Sequence, residues 1–232
     1  MRKITPLQIT IFFTLVTLIW VLGIATAYLL FGQLDSNDFR GILLLVTSIF
    51  FAYVYAFITF RLFLKIRPLP EGEIPIGSEH EFTYHIYLLF FLIFFYPVMR
   101  SGAVPVPIMR LVYQILGARL GENTYSAGII LDPIFVTIGS NTLIGQGSLI
   151  VPHVIENERL GHYPIRIGNN VTIGAHSVVL TDVTIEDGAL IATGAVVKKG
   201  TQVKAGEVWG GVPARRLQGG RAEAEGQSFT KP

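Results

Sequence analysis

The chain has 232 residues, enough for one large domain or two small ones. Its formal net charge of +2, with no basic stretch interleaved with aromatics, leaves out a nucleic-acid partner. It has no cysteine, which excludes disulfides, thiolate metal sites and a cysteine nucleophile.

Only 15% of the residues are charged, and the apolar excess lies in the first half. No charge occurs between Lys3 and Asp35, and the run Leu7 to Phe31 is long enough to cross a hydrocarbon core of roughly 30 Å as a helix. A cleaved signal peptide is the weaker reading, because the run exceeds the 7–15 residues of a signal core. A second uncharged run separates Arg40 from Arg61, and the polar linker GQLDSNDFRG between the two runs reads as an exposed turn. Residues 1–67 are thus expected to form a hairpin of two transmembrane helices. Arg2 and Lys3 precede it and Arg61, Lys65 and Arg67 end it, which directs both ends to the cytoplasm.

Over residues 68–119 the expectation is different. Phe82 to Met99 is apolar but holds His85 and Tyr96-Pro97, and a re-entrant or interfacial helix is favoured over a third span. Val106 to Gly117 (VPIMRLVYQILG) reads as an amphipathic helix that leads into the second half, with the membrane surface as a further place for it.

The second half repeats every six residues. From Ile138 the units read IGSNTL and IGQGSL, then IGNNVT, IGAHSV, VLTDVT, IEDGAL, IATGAV, VKKGTQ and VKAGEV. Each opens on a β-branched aliphatic residue, and the fifth place is small or β-branched in all but the last, where Glu207 stands. A period of six fits neither a helix nor plain strand alternation. It suits a triangular coil of three short strands and three turns, 18 residues in all, in which stacked coils bury a ladder of Ile and Val that no coil buries alone. The register fails once: Ile150 and Ile167 are 17 residues apart, six plus eleven, so a loop is extruded near ENERLGHYPIR.

These units, closed by Trp209-Gly-Gly-Val-Pro-Ala-Arg-Arg216, resemble the hexapeptide-repeat acyltransferases, in particular the branch with sugar O-acetyltransferases. The resemblance covers roughly Leu120 to Leu217 and leaves out the membrane hairpin. It implies an all-β left-handed parallel β-helix over residues 120–217, typically a homotrimer, with a flexible tail over 218–232. It also implies a histidine general base at the extruded loop, which His153 in Val-Pro-His matches. Asp132, in an Asp-Pro common in this branch, and Glu156, Glu158 and His162 are candidates to orient that base or to meet the acceptor; each has a plain surface or turn role as its competing reading. His176, at an outward place, is a weaker candidate. The implied donor is acetyl-CoA or another acyl-CoA, its pantetheine arm along Gly174, Ala175, Ala192, Thr193 and Gly194, its phosphates near Lys198, Lys199, Arg215 and Arg216. No metal is expected.

A γ-type carbonic-anhydrase-like metal enzyme on the same fold is the first alternative, but the spacing of His153, His162 and His176 does not resemble that family's close histidine pair. The second is a non-catalytic trimeric membrane scaffold. The anchor favours an acceptor held at the bilayer, such as a lipid-linked sugar or glycolipid, and a bacterial-type inner membrane with the catalytic domain on the cytoplasmic face. The sequence leaves open the acyl chain length and whether oxygen or nitrogen is acylated.

Overall fold

A computed structural model describes residues 2–34 and 37–217. Asp35, in the expected linker, and the tail expected over 218–232 lie outside the described residues. The chain divides into two units, one of Met1–Pro70 with Ile74–Ser101 and one of Glu71–Glu73 with Gly102–Pro232.

The first unit is helical. Helix α1 (Pro6–Phe31) starts at Thr5, whose hydroxyl accepts from the Gln8 N–H while the Gln8 side chain accepts from the Thr5 N–H. With Pro6 at the first helical position, this reciprocal cap satisfies amides that the helix cannot. Helix α2 (Arg40–Ile66) packs along it through small residues. Gly23, Ala27, Ser48, Ala52 and Ala56 are buried, and a Cβ on Gly23 would lie 2.9 Å from the Ala52 nitrogen. Close backbone approach of this kind is how helices associate where no hydrophobic effect drives them together. Leu18, Leu29, Ile42 and Leu45 face outward, as suits a hydrocarbon surround.

The third apolar run is helical from end to end. Helix α3 (Glu79–Phe90) passes through a π-helical turn (Phe91–Phe95) into α4 (Tyr96–Arg100). The 22 residues from Glu79 to Arg100 have the length and apolarity to cross a membrane, as do α1 and α2. The sequence reading favoured a re-entrant or interfacial course here. Pro97 has no N–H for the carbonyl four residues back; the widened turn absorbs that loss, so the helix continues, which fits an interfacial helix as well as a third span.

The second unit is a left-handed β-helix. Helix α5 (Val106–Leu116) covers its first coil, with Met109, Tyr113 and Leu116 buried and Ile108, Leu111 and Ile115 exposed. Gly117 ends the helix at φ 115°, a conformation that glycine adopts without strain. The Tyr113 hydroxyl donates to the Gly128 carbonyl at 3.0 Å and accepts from the Ile130 N–H at 3.3 Å, and burial pushes its pKa up to about 12.

A strand from earlier in the chain, β1 (Gly72–Glu73), belongs to this unit. The first coil holds β2 (Arg119–Leu120), β3 (Tyr125–Ser126) and β4 (Ile129–Ile130). The second holds β5 (Val136–Ile138), β6 (Leu143–Ile144) and β7 (Leu149–Ile150). The hairpin β8 (His153–Glu156) and β9 (Arg159–His162) then leaves the coil. The helix resumes with β10 (Ile165–Ile167), β11 (Thr172–Ile173) and β12 (Val178–Val179), followed by β13 (Thr184–Ile185), β14 (Leu190–Ile191) and β15 (Val196–Val197). Strands β16 (Gln202–Val203) and β17 (Val208–Gly210) complete the stack, and β18 (Arg215–Arg216) folds back antiparallel on β17.

Three parallel sheets result, β2-β5-β10-β13-β16, β3-β6-β11-β14-β17 and β4-β7-β12-β15. All nine lead residues of the repeat, Ile138 to Val203, are buried. Small residues at the fifth place serve the corners: the Thr142 and Ser148 hydroxyls donate to the Gly168 and Gly174 carbonyls of the next coil, at 2.9 and 2.8 Å. Gly174 itself abuts the coil above, where a Cβ would lie 2.4 Å from the Thr193 nitrogen. The first sheet points Arg119, Thr137, Arg166, Thr184 and Gln202 outward. The other two point out Tyr125, Leu143, Thr172, Leu190 and Val208, and Ile129, Leu149, Val178 and Val196.

Candidate active site

Where the repeat breaks, the chain leaves the coil at Pro152 and makes a two-residue turn, Asn157-Glu158, between β8 and β9. Asn157 sits at φ 55°, the left-handed region that Asn tolerates better than most residues. The antiparallel register sets His153 opposite His162 and Glu156 opposite Arg159. Both histidines therefore stand at the root of the hairpin.

One coil below, Asp132 occupies the corner after β4 at φ 41°, just before Pro133. This brings its carboxylate, 6% exposed, to 2.5 Å from His153 Nδ1. Ionised Asp132 can only accept, so the imidazole carries its proton on Nδ1 and presents Nε2 as its acceptor. Burial depresses the His153 pKa, but the hydrogen bond and charge of Asp132 outweigh it, and the net direction is upward. The His153 side chain remains 29% exposed, accessible to a reactant. A buried acid that orients a partly open imidazole is an arrangement for moving one proton.

His162 is buried and stacks on Phe135, with ring centroids 4.5 Å apart and planes 16° from parallel. Burial holds its pKa below the ordinary histidine value against the pull of Asp132. It is thus a neutral wall beside the dyad. Phe135 was not singled out by the sequence, since nothing about an aromatic after Asp-Pro signals a stacking partner 27 residues on.

The remaining candidates fall elsewhere. The Glu156 carboxylate meets Lys199 Nζ at 2.8 and 3.0 Å, so two residues expected in different roles pair with each other, and Asp132 is the acid that contacts His153. Glu158 stands in the exposed turn. His176 lies at a coil corner with φ 56°, where a Cβ on Gly147 would run into its ring. Gly174 and Ala175 stack under Ala192, Thr193 and Gly194: the Gly194 N–H donates to the Ala175 carbonyl at 2.9 Å. Lys198 and Arg215 are exposed, and Arg216 pairs with Glu207 at 3.1 Å. The other face of the hairpin lines a cavity of about 260 Å³ with Val154, Glu156, Arg159 and Gly161, closed by Tyr163, Thr181 and Lys199.

Residues 164–199 match the family described as bacterial transferase hexapeptide (six repeats). The chain is 34% identical over 141 residues to gamma carbonic anhydrase 1, mitochondrial, of Arabidopsis thaliana, a match covering 53% of this chain and 50% of that protein. It is 37% identical over 118 residues to galactoside O-acetyltransferase of Escherichia coli (strain K12), covering 46% and 57%. A solved hexapeptide-repeat-containing acetyltransferase from Vibrio cholerae O1 biovar eltor, complexed with acetyl coenzyme A, aligns at 28% identity and a TM-score of 0.41, over 44% of this chain and 60% of that one. The chain spans about half the length of the curated relatives it matches. Its second unit carries the hexapeptide-repeat transferase fold.

Proposed function

We propose that this hexapeptide-repeat chain is a membrane-anchored acyltransferase that moves an acetyl or other acyl group from coenzyme A to a hydroxyl or amine. The observation that carries the reading is the Asp132–His153 pair at the one break in the repeat. His153 Nε2 takes the proton of the acceptor hydroxyl as its oxygen attacks the thioester carbonyl. The tetrahedral intermediate then collapses with cleavage of the C–S bond, and the thiolate of coenzyme A leaves with the proton from His153. Asp132 holds the Nδ1–H tautomer and stabilises the imidazolium formed in between. No covalent enzyme intermediate is needed. The stacked small residues Gly174, Ala175, Ala192, Thr193 and Gly194 support a path for the pantetheine arm, with Lys198, Arg215 and Arg216 as cations for the phosphates; Lys199 would first leave Glu156.

The outward faces of two of the three sheets, apolar apart from Thr172, support a homotrimer, in which each such face packs on a neighbour and the polar face stays in water. The three apolar helices support an acceptor that is itself lipid-linked, such as a sugar or glycolipid in a bacterial-type inner membrane. Basic residues at the start of α1 and the end of α2 favour the cytoplasmic face for those ends. A third crossing by residues 79–100 would carry the β-helix to the opposite face, which cysteine labelling from either side of sealed vesicles decides.

The test is release of free thiol from acetyl-CoA by the detergent-purified chain, with lipid-linked and free sugars compared as acceptors. Release that depends on the lipid-linked acceptor supports the whole reading. Release with free sugars alone removes the lipid-linked acceptor, and none with either removes the acyltransferase. The similarity to a gamma carbonic anhydrase favours one rival, a metal enzyme. Among the described residues no group of three His, Cys, Asp or Glu is placed to hold a metal ion within one chain, so its metal would need donors from a neighbouring copy. Stoichiometric zinc without acetyl-CoA turnover would put that rival in first place.

A further inference from the structure

The catalytic hairpin is not a two-stranded flap. Strand β1 pairs antiparallel with β9, Gly72 opposite His162 and Glu73 opposite Gly161, to give a three-stranded sheet β1-β9-β8. An isolated two-stranded ribbon is marginal in water, and a third strand changes that. In the sequence, β1 lies 86 or more residues before β9, the strand it pairs with, in the short connection between α2 and α3.

Three features show that this pairing is specified by the residues. Gly72 adopts φ 100°, a conformation that L side chains rarely take. At Gly161 a Cβ would stand 2.8 Å from the Gly72 carbonyl oxygen and 3.2 Å from the Glu73 Cα, so only glycine lets the strands meet there. Next to this contact Arg159 reaches Glu73 at 3.4 Å. That pair is exposed and contributes little by itself; the two glycines are the specific feature.

We propose that Gly72 and Glu73 form a positioning strap for the catalytic hairpin, which fixes His162, and through the root of the hairpin His153, against Asp132. The inference rests on the acyltransferase reading for its effect on turnover, but the strap itself has a readout independent of activity. Gly72 and Gly161 are positioning residues: neither has a side chain to meet a reactant, and both act through the placement of β9. It follows that a segment of the second unit that lies between α2 and α3, remote in sequence from the repeat, sets the geometry of the site.

The experiment uses the full chain in detergent, wild type and Gly161→Ala, with Gly72→Val as the second variant should the first not fold. Amide hydrogen exchange is followed over 153–162, with the coils of 184–208 as an internal reference. Turnover of acetyl-CoA is measured as a function of pH. Gly161→Ala is expected to speed exchange in the hairpin alone and to lower kcat by about 10- to 100-fold, the range for a displacement near 1 Å. KM for acetyl-CoA should hold, and the acid limb of the pH profile should move as the Asp132–His153 contact loosens. Wild-type hairpin protection, or wild-type kcat with an unmoved acid limb, in the variant that folds overturns the strap. A wild-type chain without acetyl-CoA turnover overturns the acyltransferase reading instead, and the exchange arm then still decides for or against the strap.

Discussion

Replacing Asp132 with Asn leaves the shape of the site and removes one charge. In the native chain that carboxylate is nearly buried and lies 2.5 Å from His153 Nδ1, so the interaction is a charge-assisted hydrogen bond with little solvent to screen it. Such a bond contributes about 1.5–3 kcal/mol. If most of that is realised only when His153 becomes an imidazolium, the loss in kcat is roughly 10- to 150-fold at 1.36 kcal/mol per factor of ten. A second signature separates this from a packing defect. Burial lowers the His153 pKa and Asp132 raises it, with the upward pull ahead. In the proposed mechanism turnover needs the neutral imidazole, so in the wild type kcat/KM should climb with pH through a midpoint above the ordinary histidine value of about 6.5. In Asp132→Asn only the burial remains, and the acid limb should shift below that value while the plateau falls. The same linkage applies to folding: the raised His153 pKa stabilises the native chain below about pH 6.5, and that contribution fades as pH rises through the folded value. A pH-resolved thiol-release assay on both proteins, with circular dichroism to confirm folding, reads the outcome. Equal plateaus and coincident acid limbs would refute the dyad.

His153→Ala should lower turnover by about 10²–10⁴-fold, as for a lost general base, with the melting temperature near that of the wild type because the side chain is part-exposed; thiol release and a thermal melt check both, and near-normal turnover would move the role to His162. Ile191→Ala empties a position at the centre of the ladder, 0% exposed, and should cost about 2–5 kcal/mol of stability, seen as a lower denaturation midpoint. Leu143→Glu places a charge on an apolar outward face where Leu143 is 52% exposed in the single chain. It should leave the coil folded and dissociate the proposed trimer in mass measurements of the detergent complex; a trimer that stays intact would relocate the interface.

Much of the second unit was determined by the sequence alone, because a solenoid is built from local order. Each lead residue from Ile138 to Val203 packs on residues about one coil away, and the six-residue period repeats that relation without help from distant chain. The interruption between Ile150 and Ile167 was equally legible, since a lost register in a strict repeat has nowhere to go but outward. The apolar runs of the first unit announced helices by length, the third included, where a π turn absorbs the amide missing at Pro97.

What the tertiary structure alone decided are relations between coils and between distant segments. Asp132 and Glu156 were comparable partners for His153 in the sequence; only the left-handed corner at Asp132, one coil below, puts that carboxylate on Nδ1, while Glu156, farther along the hairpin, meets Lys199. The stacking of Phe135 on His162 and the arrival of Gly72–Glu73 at β9 have no periodic signature at all. The second follows from backbones that approach closely enough that a single Cβ, at Gly161, would part them. A repeat records its own neighbours in its spacing, whereas a contact across 88 residues of chain is recorded only in the space that a glycine leaves.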